Sequence, residues 1–345
     1  MPSTPRQRVL AALAHKQPDA VPYQISMTIP ARAKAVEFYA ARGIDDLDAY
    51  IGHHIASYEP EPPDAWVEVR PDHWRDQFGV LWNREIDKDI GNPENQLVSP
   101  ENLDAFELPD PHDPRRWAGW GAFVAAHPDR FRRVAVGFSL FERAWTLRGM
   151  ENLLTDFALD EDFVDALFDK LTDWLLAIVA ETLKREGCDC IHFGDDWGSQ
   201  HGLIMGPAYW RRYLKPRLAK VYGRVREAGL FVSIHYCGDV KEVFGDLIEI
   251  GLQMFNPFQP EVMDVAEMKR LHGEKLTFHG GISTQQTLPY SSADEVAAEV
   301  KWLCETIGKD GGYVCSPAHD IPGDVPAENI AAVIETLRGQ AGLGQ

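Results

Sequence analysis

Short apolar runs alternate with longer amphipathic stretches from about residue 130 onward. The longer stretches repeat leucine, isoleucine, valine or aromatic residues every three or four positions, which is typical of helices with one buried face. This alternation predicts parallel strands joined by crossover helices. The predicted strands are 133–138, 190–195, 231–236, 253–257, 276–279 and 312–316, and the predicted helices include 161–185, 207–228, 293–307 and 326–337.

The first half of the chain is less regular. Two more strands are predicted at 21–26 and 54–58, and they complete a closed (β/α)8 TIM barrel in which residues 1–345 form one domain. The proline-containing segment 59–130 includes a predicted hairpin strand at 78–85. Because no Gly/Ser linker flanks this insertion, we expect it to cover the barrel mouth.

Composition narrows the functional classes. The formal charge of −19 disfavours nucleic acid and anionic membranes as partners, because both are bound by clustered lysine and arginine. The same acidity disfavours a polyanionic substrate unless basic residues line the pocket. Five cysteines without the spacing of a disulfide scaffold, and a start that lacks a secretory pattern, predict a cytoplasmic protein with free or metal-bound thiols.

The most informative motif is His235-Tyr236-Cys237-Gly238, which follows the apolar run 230–234. Residues two apart on a strand share a face, so His235 and Cys237 can contact one metal ion. Imidazole nitrogen and thiolate are ligands that suit zinc. On local pattern alone, a hydrogen-bonded core histidine and an inert buried thiol explain the motif equally well.

A third metal ligand is predicted near the end of the chain, where Cys315 and His319 both follow an apolar run. Cys315 lies inside the predicted strand, whereas His319 lies in the loop after it, level with the end of the His235 strand. We therefore predict His319 as the ligand and keep Cys315 as the alternative. The other cysteines are predicted to be structural: Cys188, Cys190 and Cys304.

Polar residues also follow the other predicted strands, where a barrel builds its active site. The candidate catalytic residues are Asp195, Glu142 and His279. The candidate substrate-binding residues are Asp196, Gln200, Tyr236, Asn256 and Gln259. The aspartates of the 195–200 loop are equally well explained by bonds to backbone amides, and His279 by a structural hydrogen bond.

Together these motifs resemble the uroporphyrinogen decarboxylase superfamily over nearly the whole chain. The matching segments are 6–22, 149–154, 195–200, 206–210, 235–238, 279–282 and 317–329. The resemblance implies a (β/α)8 barrel with its active site at the strand ends. The heme-pathway decarboxylases carry an arginine-rich N-terminal segment and lack a His-x-Cys pair, whereas residues 21–33 offer only Arg32. Porphyrinogen decarboxylation is therefore not the expected activity.

The chain looks like the superfamily's corrinoid and thiol methyltransferases, which bind zinc through His-x-Cys and a distant cysteine. Here His235 and Cys237 match, and His319 aligns with the distant cysteine. The resemblance implies a Zn2+-dependent transfer of a methyl group between a small-molecule substrate and a corrinoid, folate or thiol acceptor. A corrinoid on a partner protein or tetrahydrofolate would carry the methyl group, and a homodimer is common among relatives.

Two alternatives remain open from the sequence. One is a metal-independent decarboxylase or lyase that acts on a small acid, with Asp195 and His319 handling protons. The other is a ligand-binding barrel without chemistry, which the dense set of ionisable residues disfavours.

Overall fold

A parallel sheet surrounded by helices forms the centre of the fold in a computed structural model that describes residues 2–340. The strands are β1 (Ile55–Tyr58), β2 (Trp66–Arg70), β3 (His73–Asp76), β4 (Leu81–Asn83), β5 (Asn92–Pro93), β6 (Phe131–Val136), β7 (Cys190–Gly194), β8 (Gly198–Ser199), β9 (Gly202–Leu203), β10 (Phe231–His235), β11 (Met254–Phe258), β12 (Thr277–Ile282) and β13 (Tyr313–Pro317). The central sheet has the order β1-β6-β7-β10-β11-β12-β13, and all its neighbouring strands are parallel.

The connections between these strands are largely helical, as the sequence pattern predicts. The α-helices are α1 (Pro5–Leu13), α2 (Ile29–Ala40), α3 (Leu47–Ile51), α4 (Trp120–Ala126), α5 (Phe141–Arg148), α6 (Met150–Leu159), α7 (Glu161–Leu183), α8 (Gly206–Tyr209), α9 (Lys215–Glu227), α10 (Phe244–Glu249), α11 (Val265–His272), α12 (Thr287–Tyr290), α13 (Ala293–Trp302) and α14 (Ala327–Gln340). The predicted helix 207–228 is interrupted by a π-helical turn at Trp210–Leu214, and the predicted helix 293–307 ends in another at Leu303–Ile307. None of the helices within residues 2–340 has the length and apolar character that crossing a membrane requires.

The sheet closes through an extended segment between β13 and β1. Tyr23 forms a parallel bridge with Cys315, and the Tyr23 carbonyl accepts a hydrogen bond from the backbone N–H of His54. The predicted strand 21–26 is thus an extended chain held by single bridges rather than a full ladder, since Pro22 has no N–H to donate. The predicted α/β barrel is confirmed.

An apolar floor closes the amino-terminal end of the barrel, where α1 contacts β1, β6 and β13. Its side chains come from α1 and from the first residues of the strands: Val9, Leu13, Ile55, Phe131, Cys190, Met254 and Val314, with Leu10 and Phe231 packed against them. The polar side chains of the barrel interior therefore lie toward the other end of the strands, where the barrel opens.

The insertion 59–130 lies at that open end. It contains the antiparallel sheet β2-β3-β4-β5, and β4 falls within the predicted hairpin strand 78–85. Glu61, Trp66 and Phe78 of the insertion line a cavity at the barrel mouth. The insertion therefore forms a wall of the mouth, as the sequence predicts.

Two buried histidines accept hydrogen bonds from the backbone of the closing segment. Because protonation would remove these acceptors, we expect the stability of the fold to fall in acid. The Nδ1 atom of His54 accepts from the backbone N–H of Tyr23 at 3.3 Å, and that of His53 accepts from Ile25 at 3.4 Å. Burial, followed by the charge of Arg8, lowers the pKa of His54 from 6.5 to about 3. Because the unfolded chain binds this proton more tightly, the stability that neutral His54 contributes is lost as pH falls from about 6.5 toward 3.

We expect the free energy of unfolding to decline below pH 6.5, with each such histidine contributing a slope of up to about 1.4 kcal/mol per pH unit. His54→Asn retains an acceptor without the titration, so urea unfolding between pH 7 and pH 4.5 should show a flatter pH dependence for this variant. His201→Asn, on an exposed turn, is the matched control and should keep the wild-type slope. An equal slope in all three proteins contradicts the assignment.

Candidate metal centre

His235, Cys237 and His319 come together at the carboxyl ends of β10 and β13. Their ligand atoms all lie within 4.8 Å of one another, and His235 Nε2 lies 3.2 Å from Cys237 Sγ. The rings of His235 and His319 are 5.5 Å apart between centroids. Two imidazole nitrogens and one sulfur form a donor set that fits zinc.

Asn256 sets the orientation and tautomer of His235. Its Nδ2 group donates to the His279 carbonyl at 3.0 Å, so its Oδ1 faces His235 Nδ1 at 2.7 Å and accepts from it. With the proton on Nδ1, His235 Nε2 presents a lone pair toward Cys237. Such a hydrogen bond to the distal ring nitrogen is the usual support of a metal-binding histidine. Asn256 therefore positions His235, and it also lines the smaller cavity beside it, where the sequence predicts a substrate-binding residue.

Cys237 lies in an acidic environment. Its backbone N–H donates to Asp196 Oδ1 at 2.8 Å, and the same oxygen is 4.0 Å from His235 Nε2. Burial and the neighbouring carboxylates of Asp196 and Glu142 raise the pKa of the Cys237 thiol well above its usual value. A thiolate at this position thus calls for a cation beside it, and a bound divalent metal meets that requirement.

Cys315 is separated from this cluster by strand geometry. Val314 contributes to the apolar floor and Ser316 lines the barrel cavity, so both point into the barrel. Cys315 lies between them and points to the opposite side of the strand. His319, which was the preferred third ligand, is the residue that lies beside His235 and Cys237.

Asp195, a predicted catalytic residue, lies at the start of α5 and is bound to backbone N–H groups there. Its fully buried carboxylate accepts from the backbone N–H groups of Leu140, Phe141 and Glu142 at 3.2, 3.0 and 2.7 Å. It also accepts from the indole N–H of Trp197 at 2.6 Å. Asp195 thus fixes the start of α5, which carries Glu142.

Glu142 and His279, the other two predicted catalytic residues, are ionisable groups whose pKa values are shifted by their surroundings. Burial and the charges of Asp196 and Asp195 raise the pKa of Glu142 well above its usual value, which favours a protonated side chain able to donate a proton. Burial lowers the pKa of His279 to about 3, so its ring is neutral. Neither ring nitrogen of His279 has a hydrogen-bond partner within residues 2–340.

The other predicted substrate-binding residues lie outside the barrel cavities. Gln200 is exposed at the turn of the β8–β9 hairpin. Tyr236 points away from the barrel axis, where it stacks on Trp197 and its hydroxyl meets that of Tyr222. Gln259 is buried, and its amide oxygen accepts from the backbone N–H of Gly238 at 3.4 Å. These three side chains support the loops around the site.

Two cavities lie beside the metal-ligand cluster and share His235 as a lining residue. The larger, of about 380 Å³, lies under the insertion, and the smaller, of about 130 Å³, runs between the cluster and the barrel interior. Both are lined by His235, Arg133 and His192. A site with two adjoining cavities has room for two reactants beside one metal.

Comparison with known proteins identifies the family. The uroporphyrinogen decarboxylase (URO-D) family matches residues 92–340 of the chain. The chain belongs to this family. A solved structure titled methyltransferase from Methanosarcina mazei superposes with a TM-score of 0.71 at 19% identity, over 98% of this chain and 99% of that one. The shared fold therefore extends over the URO-D barrel and its insertion.

Two kinds of curated proteins are similar to this chain. The methylcobamide:CoM methyltransferase MtaA of Methanosarcina barkeri is 28% identical over 174 residues, which cover 50% of this chain and 48% of MtaA. A uroporphyrinogen decarboxylase of Thermus thermophilus is 23% identical over 184 residues, covering 50% of this chain and 49% of that enzyme. The chain thus spans about half the length of the curated relatives it matches.

Sequence reasoning missed Arg133 and His192, although both line the two cavities of this URO-D barrel. A signal was present, because each polar residue interrupts an apolar strand two positions after a floor residue, Phe131 and Cys190 respectively. Which face of the strand they occupy becomes clear only from the register of the barrel.

Proposed function

We propose that this URO-D family protein is a zinc-dependent methyltransferase that moves a methyl group between a small molecule held at the His235–Cys237–His319 cluster and a corrinoid carried by a partner protein. The observation that carries the proposal is the convergence of these three ligand atoms within 4.8 Å, beside two cavities that His235 lines. The name of the MtaA relative supports a methylated corrinoid as the second reactant.

The donor set indicates what the metal would contribute. Three protein ligands leave a coordination position for substrate, as in catalytic rather than structural zinc sites. Zinc in this position would lower the pKa of a bound thiol or hydroxyl and so supply a nucleophile near neutral pH. With neutral His319 instead of a second thiolate, the ligands carry less negative charge and the ion stays more Lewis-acidic.

The chain's own residues prepare this chemistry. Asn256 holds the lone pair of His235 Nε2 toward the cluster. Glu142, whose pKa is raised by burial and by Asp196, can donate a proton to a departing group. A cytoplasmic location, which the cysteine pattern predicts, would keep the Cys237 thiol reduced and able to bind metal. The homodimer stays a prediction.

Removal of the metal is the direct test of this function. Protein purified without added metal or affinity tag should contain about one zinc per chain by elemental analysis. Dialysis against dipicolinate should abolish methyl transfer from methylcobalamin to 2-mercaptoethanol, and added zinc should restore it. Metal-free protein that transfers methyl groups at the full rate contradicts the proposal. Protein that binds no zinc even when zinc is supplied favours the metal-independent lyase instead.

A further inference from the structure

A layer of polar side chains crosses the barrel directly above its apolar floor. On six strands, the residue two positions after a floor residue is polar, and alternate residues of a strand share a face. The members of this polar layer are Ser57, Arg133, His192, Ser233, Asn256 and Ser316. A barrel interior of this kind is normally filled by branched apolar residues, so the layer indicates a binding role.

Arg133 supplies the positive charge of the polar layer and is incompletely paired. Its Nε group donates to Ser57 Oγ at 2.7 Å, whereas Nη1 is buried without a hydrogen-bond acceptor within residues 2–340. Within the same range, the guanidinium forms no ion pair with a carboxylate. Buried charges in proteins are normally paired, so this guanidinium calls for an anionic partner.

The neighbours of Arg133 are also unsatisfied. Both ring nitrogens of His279, which lines the same cavity, are buried without partners in the described part of the chain. His192 is already engaged through Nδ1, which lies 2.8 Å from Ser233 Oγ. Several polar atoms without partners around one cavity are better explained by a ligand than by independent defects.

The smaller cavity connects these groups with the metal-ligand cluster. Arg133 and His279 line it together with His235 and His319, so one compact molecule can reach from the cluster to the guanidinium. Its volume of about 130 Å³ corresponds to about four water molecules, which limits the ligand to a few heavy atoms. Asp320 also lines this cavity and opposes a second negative charge on the ligand.

We propose that Arg133 anchors the oxyanion group, a carboxylate or a sulfonate, of the small molecule whose heteroatom is held at the His235–Cys237–His319 cluster. This inference deepens the proposed function and rests on it only for the heteroatom at the metal, because the anion site itself depends on Arg133 and the cavity. The guanidinium donates to the oxyanion in charge-assisted hydrogen bonds, and neutral His279 offers one further N–H. The site selects compact monoanions despite the acidity of the whole chain.

Calorimetric titration of the protein as purified tests the anion site without any methyl transfer. Propionate and ethanesulfonate are the carboxylate and sulfonate probes, and propionamide is the uncharged control. We expect both anions to bind, with propionamide at least ten times weaker. Arg133→Gln should weaken anion binding at least ten-fold, whereas Arg133→Lys, which keeps the charge but not the planar fork, should bind with intermediate affinity.

Arg132→Gln is the matched control, since Arg132 is the neighbouring arginine on β6 and its guanidinium donates to the carbonyls of Gly187, His127 and Pro128. This variant should bind both anions as the wild type does. Circular dichroism confirms folding of each variant, and Arg133→Lys keeps the test decisive if Arg133→Gln does not fold. Wild-type protein that binds neither anion, or binds propionamide as tightly, overturns the proposal.

The two proposals fail separately. Anion binding that Arg133→Gln leaves unchanged, in a protein with zinc-dependent methyl transfer, overturns the anion site alone. Arg133-dependent anion binding in a protein without methyl transfer overturns the methyltransferase proposal alone. The anion with the lower dissociation constant identifies the group, carboxylate or sulfonate, that the substrate carries.

Discussion

Cys237→Ala is expected to lose the bound zinc and to reduce methyl transfer by at least about 100-fold. Substitution of residues that merely support metal ligands lowers metal affinity or activity by about 10- to 100-fold. Substitution of a ligand itself should therefore lower them by about 100-fold or more. His319→Ala removes another of the three donors that converge within 4.8 Å and should have the same result. Elemental analysis and the methylcobalamin assay measure the two effects on the same preparations.

Cys315→Ala is the matched control for this experiment. Cys315 is buried on the face of β13 that points away from the cluster, so its variant should keep both zinc and activity. The Cys315→Ala substitution should lower only the free energy of unfolding, because it truncates a buried side chain. Zinc that stays in Cys237→Ala, or that is lost from Cys315→Ala, contradicts the His–Cys–His site.

The sequence predicted those features that depend on local periodicity. All six strands predicted after residue 130 are present with ends shifted by at most three residues, because each is a short and mostly apolar run between amphipathic helices. The His235–Cys237 spacing is informative for a similar reason, since a separation of two places both side chains on one side of the chain. The choice of His319 over Cys315 also followed from position along a single strand.

Features that depend on contacts between distant segments were not predictable in the same way. Arg133 is one of two adjacent arginines in the sequence, and only the register of β6 against β1 and β7 shows that Arg133, not Arg132, faces the cavity. In the sequence Asp195 is a loop carboxylate, yet the three backbone N–H groups that it binds lie more than 50 residues earlier. No local pattern distinguishes a carboxylate that binds substrate from one that binds a helix start.

The hydrogen bonds of Asp195 predict a large loss of stability when this side chain is removed. Its carboxylate accepts four hydrogen bonds, three from the first backbone N–H groups around the start of α5 and one from Trp197. These donors are buried together with Asp195, and the start of a helix has no backbone acceptors of its own to offer them. Since Glu142 lies in the first turn of α5, the same bonds also position the candidate proton donor.

Asp195→Ala is expected to lower the free energy of unfolding by about 4 kcal/mol, because each buried donor left without an acceptor costs about 1 to 3 kcal/mol and some of them will find water. Asp195→Asn keeps one acceptor oxygen and should lose about half as much. Urea unfolding at pH 7 measures both effects. Asp173→Ala is the matched control, because Asp173 forms an exposed ion pair with Lys220 that is worth at most about 1 kcal/mol. If both Asp195 variants unfold like the wild type but lose turnover, Asp195 acts on the substrate rather than on the helix.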